Sequence, residues 1–534
     1  MSSSWHPRDW FLTATERGNP SSRLYADAPD GTAWTAGNDV RPLVDGGTYF
    51  RRLLEELRAT GPGDRIYFVD WRGDPDQQLD GPGTAVMVEL ARTESAGADV
   101  FGLVWRSHLD RFRFSETENR NLAQALQVLD AQVLLDMRVR PGGSHHQKFV
   151  VIRHPGQPER DVAFVGGTDL GHSRNDDRHH RGDPQPVPMS QRYGPTPPWH
   201  DVMVQIRGPA VADVECCFRE RWEDPTALQH ARPWLWALDR LRGLRGGHQR
   251  LPGALPPPPP AGSDTVQLLR TYPRQSPSYP FAPRGERTVA LGYAKALARA
   301  QRLVYVEDQY LWGSTVASVF ADALRRAPYL RLVVVLPRHV EVDDRIQQPA
   351  AHAAQAEALA LLWEAGGDRV HVFDLENSEG TPIYVHAKVC VVDDVWVSVG
   401  SANLNRRSWT HDSELAAAVL SDPDRGPGQS VAHRLRVRLW REHLGLDPDG
   451  EPGERPGDDR LRDPVAGAEV LVEHADRLDA WHRGGRRGDR PPGHLRRHHP
   501  PRVPAAVRRV LQPFTRTVLD PDGRPLALRR QGRW

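Results

Sequence analysis

Two short stretches hold residue types suited to attack on phosphorus. The first reads Ser144-His145-His146-Gln147-Lys148-Phe149-Val150-Val151-Ile152-Arg153, followed by Phe164-Val165-Gly166-Gly167-Thr168-Asp169. The second reads Tyr384-Val385-His386-Ala387-Lys388-Val389-Cys390-Val391-Val392-Asp393, followed by Gly400-Ser401-Ala402-Asn403-Leu404-Asn405. In each, a histidine stands two residues before a lysine on an apolar, strand-like run. Residues two apart on a strand share a face, so each ring and its ammonium group point the same way. A phosphodiester repels nucleophiles until its negative charge is neutralised. A ring that exchanges protons near neutral pH, set beside a fixed cation, suits that task. Lysine usage points to the same two places. Of 70 Lys and Arg residues only Lys148, Lys295 and Lys388 are lysine. The chain writes nearly every cation as planar, bidentate arginine and keeps a compact ammonium at both motifs.

The elements that must carry these residues recur in one order. Strands are expected at 65–71, 99–105, 131–137, 145–152, 161–168 and 201–207, with helices at 47–60, 116–129 and 209–222. Residues 251–263 contain five consecutive prolines and read as a semi-rigid linker. Beyond it come a helix at 288–300, strands at 303–311 and 330–336, a helix at 350–365, a strand at 369–375, the His386 strand and a strand at 396–402. Offsets between halves are nearly constant: 238 from Ala131 to Arg369, 240 from His146 to His386 and 234 from Gly166 to Gly400. An internal duplication follows. Strands alternating with helices predict an α/β fold of two sandwich domains, each a mixed sheet flanked by helices. The boundaries drawn are an N-terminal extension at 1–36, a first repeat at 37–245, a linker at 246–265, a second repeat at 266–446 and a Pro/Gly/Arg-rich extension at 447–534.

Composition bounds the class. A chain of 534 residues with 39% hydrophobic and 26% charged residues describes a soluble multidomain protein. No stretch approaches the ~20 apolar residues of a membrane span, and no secretory signal is visible at the N-terminus. Three cysteines, two of them adjacent, argue against a disulfide framework and for a reducing cytoplasm. From Arg477 onward there are fifteen arginines against four aspartates and no glutamate, a tail suited to anionic lipid or nucleic acid, or simply to solvent.

The paired His-x-Lys motifs, each followed by a Gly-Gly or Gly-Ser turn, resemble the phospholipase D superfamily over about residues 37–446. The chain is similar to its plant- and animal-type, phosphatidylcholine-cleaving branch through Trp199-His200-Asp201-Val202, Tyr305-Val306-Glu307-Asp308-Gln309-Tyr310 and Leu439-Trp440-Arg441-Glu442-His443-Leu444-Gly445. One position departs: Arg153 stands where the family motif has aspartate, as Asp393 does in the second copy.

The resemblance implies a single site between the halves. His146 is expected as nucleophile and His386 as acid and base, the reverse remaining open. Lys148 and Lys388 are expected to neutralise the phosphate, aided by Asn403 and by Ser401 or Asn405. Asp176 and Glu414 are expected to fix the histidine tautomers, and Asp393, Gly166 and Gly167 to support the site. The expected reaction is phospholipid hydrolysis to phosphatidate and head group through a phosphohistidine, with transfer to an alcohol as a side activity. A nuclease or other phosphodiesterase, and a cardiolipin synthase-like phosphatidyltransferase, are the alternatives. No cofactor or metal is expected, and calcium dependence is left open. The partner expected is a phospholipid surface, with anionic lipid contacting the Arg-rich tail and the enzyme cytoplasmic or peripheral on a membrane. Asp169 is read as structural, and His145 as lining the site or packing. The Trp199-His200-Asp201 run is read as opening a core strand. The histidines at 179–180, 494 and 498–499 lack the spacing of a zinc site.

Overall fold

The computed structural model describes residues 6–107, 115–127, 131–228, 249–341, 343–344, 346–422, 428–450 and 458–534. The end of the helix expected at 116–129, residues 128 and 129, and the first residues of the expected linker lie outside these. The first half contributes β1 (Thr35–Val44), β2 (Arg65–Asp70), β3 (Asp99–Trp105), β4 (Gln132–Asp136), β5 (Phe149–Arg153), β6 (Val162–Gly166), β7 (Trp199–His200) and β8 (Val202–Arg207). The second contributes β9 (Asp264–Tyr272), β10 (Glu286–Arg287), β11 (Leu303–Glu307), β12 (Arg331–Val335), β13 (Val370–Leu375), β14 (Tyr384–Val385), β15 (Val389–Val392), β16 (Trp396–Gly400), β17 (Glu414–Leu420) and β18 (Leu495–Arg497).

Outward from the middle, the first half runs β1-β8-β6-β5-β2-β3-β4 and the second β9-β17-β16-β15-β11-β12-β13. The two orders correspond strand for strand, which is the duplication in three dimensions. In each half the three outer strands are parallel (β2-β3-β4 and β11-β12-β13). Helices Val86–Ser95 and Glu116–Gln127 cross over in the first half, and Ser314–Arg326 and Gln347–Gly366 in the second. Parallel strands covered on both faces need near-continuous apolar runs, and β2 (RIYFVD) and β12 (RLVVV) supply them. The halves join edge to edge: β1 and β9 pair antiparallel, registered only at Thr35–Val266 and Asn38–Asp264. One continuous sheet results, and one core cluster under helices Ala210–Trp222 and Val431–His443 spans both halves, while the opposite face carries a separate core for each.

Three features add to what the sequence shows. The semi-rigid linker is pinned to the first half: Arg65 and Arg153 bind the carbonyls of Gly253 and Pro256, and Ala261 N donates to Gly37 O. The N-terminal residues dock on the second half, with Arg17 bonding Glu286. The C-terminal extension folds: helix Pro464–Arg483 packs beside β18, which adds to the sheet next to β13. Many of its arginines are used internally, as Arg496 on Glu376 and Asp479 and Arg497 on Asp476. No described helix is long and apolar enough to cross a membrane.

Candidate active site

The expected strand at 145–152 begins only at Phe149, so His146 and Lys148 lie in the extended segment leading into β5; His386 and Lys388 stand likewise before β15. Each segment is fixed by pairing across the halves. His146 N donates to Ser413 O at 2.9 Å, and His386 N to His200 O at 2.8 Å. β14 runs parallel to β7, and His145 bridges Ser413 in the same sense. Each histidine therefore lies against the segment that opens the other half's β8 or β17.

Those segments deliver the carboxylates. His146 Nδ1 is 2.9 Å from Glu414 Oε2, and His386 Nδ1 is 2.7 Å from Asp201 Oδ2. Neither Nε2 has a hydrogen-bond partner among the described residues. Both rings are recessed, His146 with 15% and His386 with 7% of the side chain exposed. Indole rings flank them: Trp199 lies 4.8 Å from His386 and Trp71 6.2 Å from His146, between ring centroids.

The carboxylates differ in charge. Burial pushes Asp201 up, but the His386 ring and Lys388 outweigh it and hold the group at about 2. Burial and the nearby Asp412 carboxylate push Glu414 up to about 8. Glu414 Oε2 accepts from both Ser401 Oγ and His146, while Oε1 is buried without a partner, the place for a retained proton. Burial and Lys388 hold His386 down to about 3. Burial, Lys148 and Lys388 together hold His146 well below its ordinary value. Lys388 comes down to about 8 through burial, with the Lys148 ammonium adding to that and Asp201 opposing. Each pair thus feels the other's charge.

Lys148 and Lys388 both donate to the carbonyl of the histidine two residues before. Lys148 also stands 3.6 Å from Asp169, which takes a further contact from Arg174 at 3.3 Å. Burial would raise Asp169; Lys148, Arg174 and His386 hold it below the usual range, while burial and Asp169 force the adjacent Asp70 well up. The second half has Asn403 at the position of Asp169. Asn403 Oδ1 and Asn405 Nδ2 are buried without protein partners, and Asn405 Oδ1 caps helix Arg406–Thr410 through Ser408 N. Polar groups left unpaired at this depth carry a desolvation penalty.

Several expectations are corrected. Asp176 orients neither ring: its carboxylate accepts from Trp199 N at 2.8 Å and Asp177 N at 2.9 Å, holding the loop that leads to β7. Asp201 takes the position expected of it, so the Trp199-His200-Asp201 run does more than open a strand. Ser401 is committed to Glu414 and to the backbone of Leu415 rather than to a phosphate. Asp393 caps the start of β11, accepting from Gln301, Arg302 and Leu303 N at 2.8 Å each. Arg153 lies at the far end of β5, fully buried, and is matched by Asp161 at 2.8 Å, Glu215 at 2.5 Å and Pro256 O. Its exchange for aspartate is a local charge reversal remote from the rings. His145 is buried against Gln147. Arg174, which no motif marks, stacks on Trp199 with its guanidinium 4.2 Å from the ring centroid and brings a third cation to the site.

Glycine is required at both turns. A Cβ on Gly166 would meet Met203 Sδ at 2.3 Å, and one on Gly400 would meet Ala416 Cα at 2.4 Å, because neighbouring strands pass this closely. A Cβ on Gly167 would lie 2.3 Å from Asp201 Oδ1. The second half solves the same space differently: Ser401 replaces Gly167, and the longer Glu414 replaces Asp201.

A sequence model described as phospholipase D matches residues 114–243, and one described as cardiolipin synthase, PLD-like domain, matches residues 293–436. Phospholipase D alpha 2 of Oryza sativa subsp. japonica is 26% identical over 79% of this chain and 67% of its own length. Phospholipase D alpha 1 of Zea mays is 26% identical over 67% of this chain and 58% of its own length. The chain thus spans about three fifths to two thirds of these relatives. Phosphatidylserine synthase of Haemophilus influenzae Rd KW20 shares the fold, with a TM-score of 0.51 at 14% identity, covering 83% of this chain and 93% of that one. Two family matches, one on each half of a duplicated sheet and each spanning a His–Lys pair, place the chain in the phospholipase D superfamily.

Proposed function

We propose that the protein hydrolyses the distal phosphodiester of a glycerophospholipid, phosphatidylcholine being the expected substrate, to phosphatidate and free head group. The observation that carries this is the meeting of two His–Lys pairs, each ring held through Nδ1 by the other half's carboxylate. His146 Nε2 attacks phosphorus while the bond to the head-group oxygen breaks, and His386 gives that oxygen a proton. In the second step His386 takes a proton from water, the water oxygen adds to phosphorus, and the bond from phosphorus to His146 breaks. Lys148, Lys388 and Arg174 neutralise the charge that develops on the phosphoryl oxygens. The unequal carboxylates support this division of roles. Ionised Asp201 stabilises an imidazolium on His386, as an acid and base requires, whereas Glu414 near neutrality leaves His146 uncharged with Nε2 open. An anionic phosphodiester opposes the lysine field that depresses His386 and so raises its proton affinity on binding.

Lipid is favoured over nucleic acid by the C-terminal segment beside the site. Val510 (77% exposed), Leu526 (61%) and Val518 (51%) stand out to solvent among Arg508, Arg509, Arg516, Arg529 and Arg530. This segment is tied to the rim of the site: Asp520 binds Arg406 and Arg407, and Arg407 binds Asp412, which holds Ser144 N. Apolar side chains among cations suit an anionic bilayer surface, where such a protein is peripheral. The test is incubation with phosphatidylcholine vesicles plus ethanol, and separately with single-stranded DNA. Phosphatidate and phosphatidylethanol that disappear in His146→Ala and His386→Ala are expected. DNA cleavage without lipid turnover refutes the reading.

A further inference from the structure

Behind Asp201, four buried side chains from four separate segments converge: Asp45 ahead of helix Gly46–Arg58, His180 in the loop before β7, His200 in β7 and Glu442 in helix Val431–His443. One donor atom from each lies within 4.8 Å of the other three. Asp45 Oδ1 is 3.0 Å and Glu442 Oε1 3.3 Å from His200 Nδ1, and Glu442 Oε1 is 3.4 Å from His180 Nε2. Tetrahedral zinc with bonds of about 2.0–2.1 Å sets its ligand atoms about 3.3–3.4 Å apart, so these separations are close to the edges of such a site.

The remaining ring nitrogens are engaged as those of ligating histidines are. His180 Nδ1 is 3.1 Å from Trp199 O. His200 Nε2 is 2.8 Å from Glu307 Oε2, and the other oxygen of Glu307 holds His443 Nε2 at 2.7 Å. A metal-bound imidazole commonly gives its second N–H to a carboxylate or carbonyl, fixing the tautomer that presents the other nitrogen. His180 Nε2 and Glu442 Oε1 are fully buried and face each other at 3.4 Å, an ion-pair contact that is not a hydrogen bond. One cation between them would satisfy both, at a separation matching the edge of a zinc tetrahedron. Asp45 and His180 also hold positive φ, 64° and 50°, uncommon outside glycine.

We propose that Asp45, His180, His200 and Glu442 bind one divalent transition-metal ion, zinc by donor set and geometry, in a closed structural site. All four positions are filled by protein, without the open position that catalytic zinc keeps. The ion stands outside the phosphoryl chemistry and acts as a positioning element. It ties the first half to the Val431–His443 helix of the second and anchors β7, whose next residue is the Asp201 that orients His386.

The test uses the full chain, purified without a metal-affinity tag or chelator, and needs no substrate, so its failure is distinct from failure of the phosphodiesterase reading. Elemental analysis is expected to give close to one zinc per chain after dialysis. Exhaustive chelation should lower the melting temperature and added zinc restore it, and cobalt(II) exchange should produce the intense visible bands of a four-coordinate site. Glu442→Gln and His180→Gln should each weaken zinc binding at least tenfold. Less than a tenth of an equivalent in the wild type, with a melting temperature indifferent to added zinc, overturns the proposal: the cluster would then be an ion-paired network of protonated histidines. An unchanged zinc affinity in both variants also overturns it, by placing the metal elsewhere. If the variants fail to fold, wild-type metal content and the cobalt spectrum decide.

Discussion

Replacing Asp201 with asparagine removes one negative charge from beneath His386 and leaves the shape of the side chain intact. The Nδ1–Oδ2 contact is 2.7 Å with both groups buried. When His386 takes up a proton, the new charge centre lies about 4 Å from the carboxylate, where opposite unit charges attract by ~4 kcal/mol at an effective dielectric constant near 20. At ~1.4 kcal/mol per decade, kcat should fall by about a thousandfold. Exchange of carboxylate for amide in the serine-protease triad, where the amide selects the wrong tautomer, drops kcat by about ten-thousandfold. The assay is turnover of a soluble chromogenic phosphodiester, which separates chemistry from membrane binding; KM should change far less than kcat. The second half supplies the control. Glu414, held at about 8, already keeps its proton at neutral pH, and glutamine reproduces its two-acceptor carbonyl oxygen. Glu414→Gln should therefore lose no more than about tenfold, or ~1.4 kcal/mol. Equal losses in the two variants, or wild-type turnover by Asp201→Asn, refute the reasoning. So does a loss in a folded Asp176→Asn as large as that in Asp201→Asn.

Gly167→Ser should approach the Asp201→Asn defect by driving a Cβ into Asp201 Oδ1, and combination with Asp201→Glu should recover part of the rate by copying the Ser401–Glu414 arrangement; no loss in the single variant refutes the steric argument. Asp169→Asn removes the carboxylate 3.6 Å from Lys148 and should tighten inhibition by vanadate by about tenfold, or ~1.4 kcal/mol; weaker inhibition would show that Asp169 is needed to place Lys148. With Lys388 at about 8, its charge is lost above that pH, so kcat/KM should fall on an alkaline limb near 8, while kcat holds to higher pH because bound phosphate retains the proton; a profile flat to pH 9.5 contradicts this. Arg153→Asp, though it restores the family residue, would place a third carboxylate against Asp161 and Glu215; it should lower urea-denaturation stability by at least the ~3–5 kcal/mol of a broken buried ion pair.

The strands were legible because buried parallel and central strands write themselves as unbroken Val/Ile/Leu runs, and the duplication was legible because their order repeats at a near-constant offset. The His–Lys pairs were legible for a local reason, two residues on one extended face. Asp201 was not. The carboxylate of the second half follows its glycine turn closely, Glu414 coming 14 residues after Gly400, whereas a long loop separates Gly166 from Asp201 by 35. Counting residues after the turn leads to Asp176; matching strand to strand, β8 against β17, leads to Asp201. Only pairing across the halves reveals which histidine each carboxylate serves. Local spacing hides His180, because its companions lie 135 residues before it and 20 and 262 after it, distances that no short pattern covers.

The exchanged carboxylates have an evolutionary consequence. A half standing alone holds a histidine without its carboxylate and a carboxylate without its histidine. Two identical halves related by a two-fold axis would repair both defects at once, because an isologous contact supplies each missing partner twice. The single chain is thus the covalent descendant expected of a self-complementary homodimer. Fusion frees what symmetry forbids. Identical subunits must carry identical carboxylates, whereas here one position became Asp with Gly beside it and the other Glu with Ser. The two positions can differ in residue type only once the two copies are separately inherited within one chain.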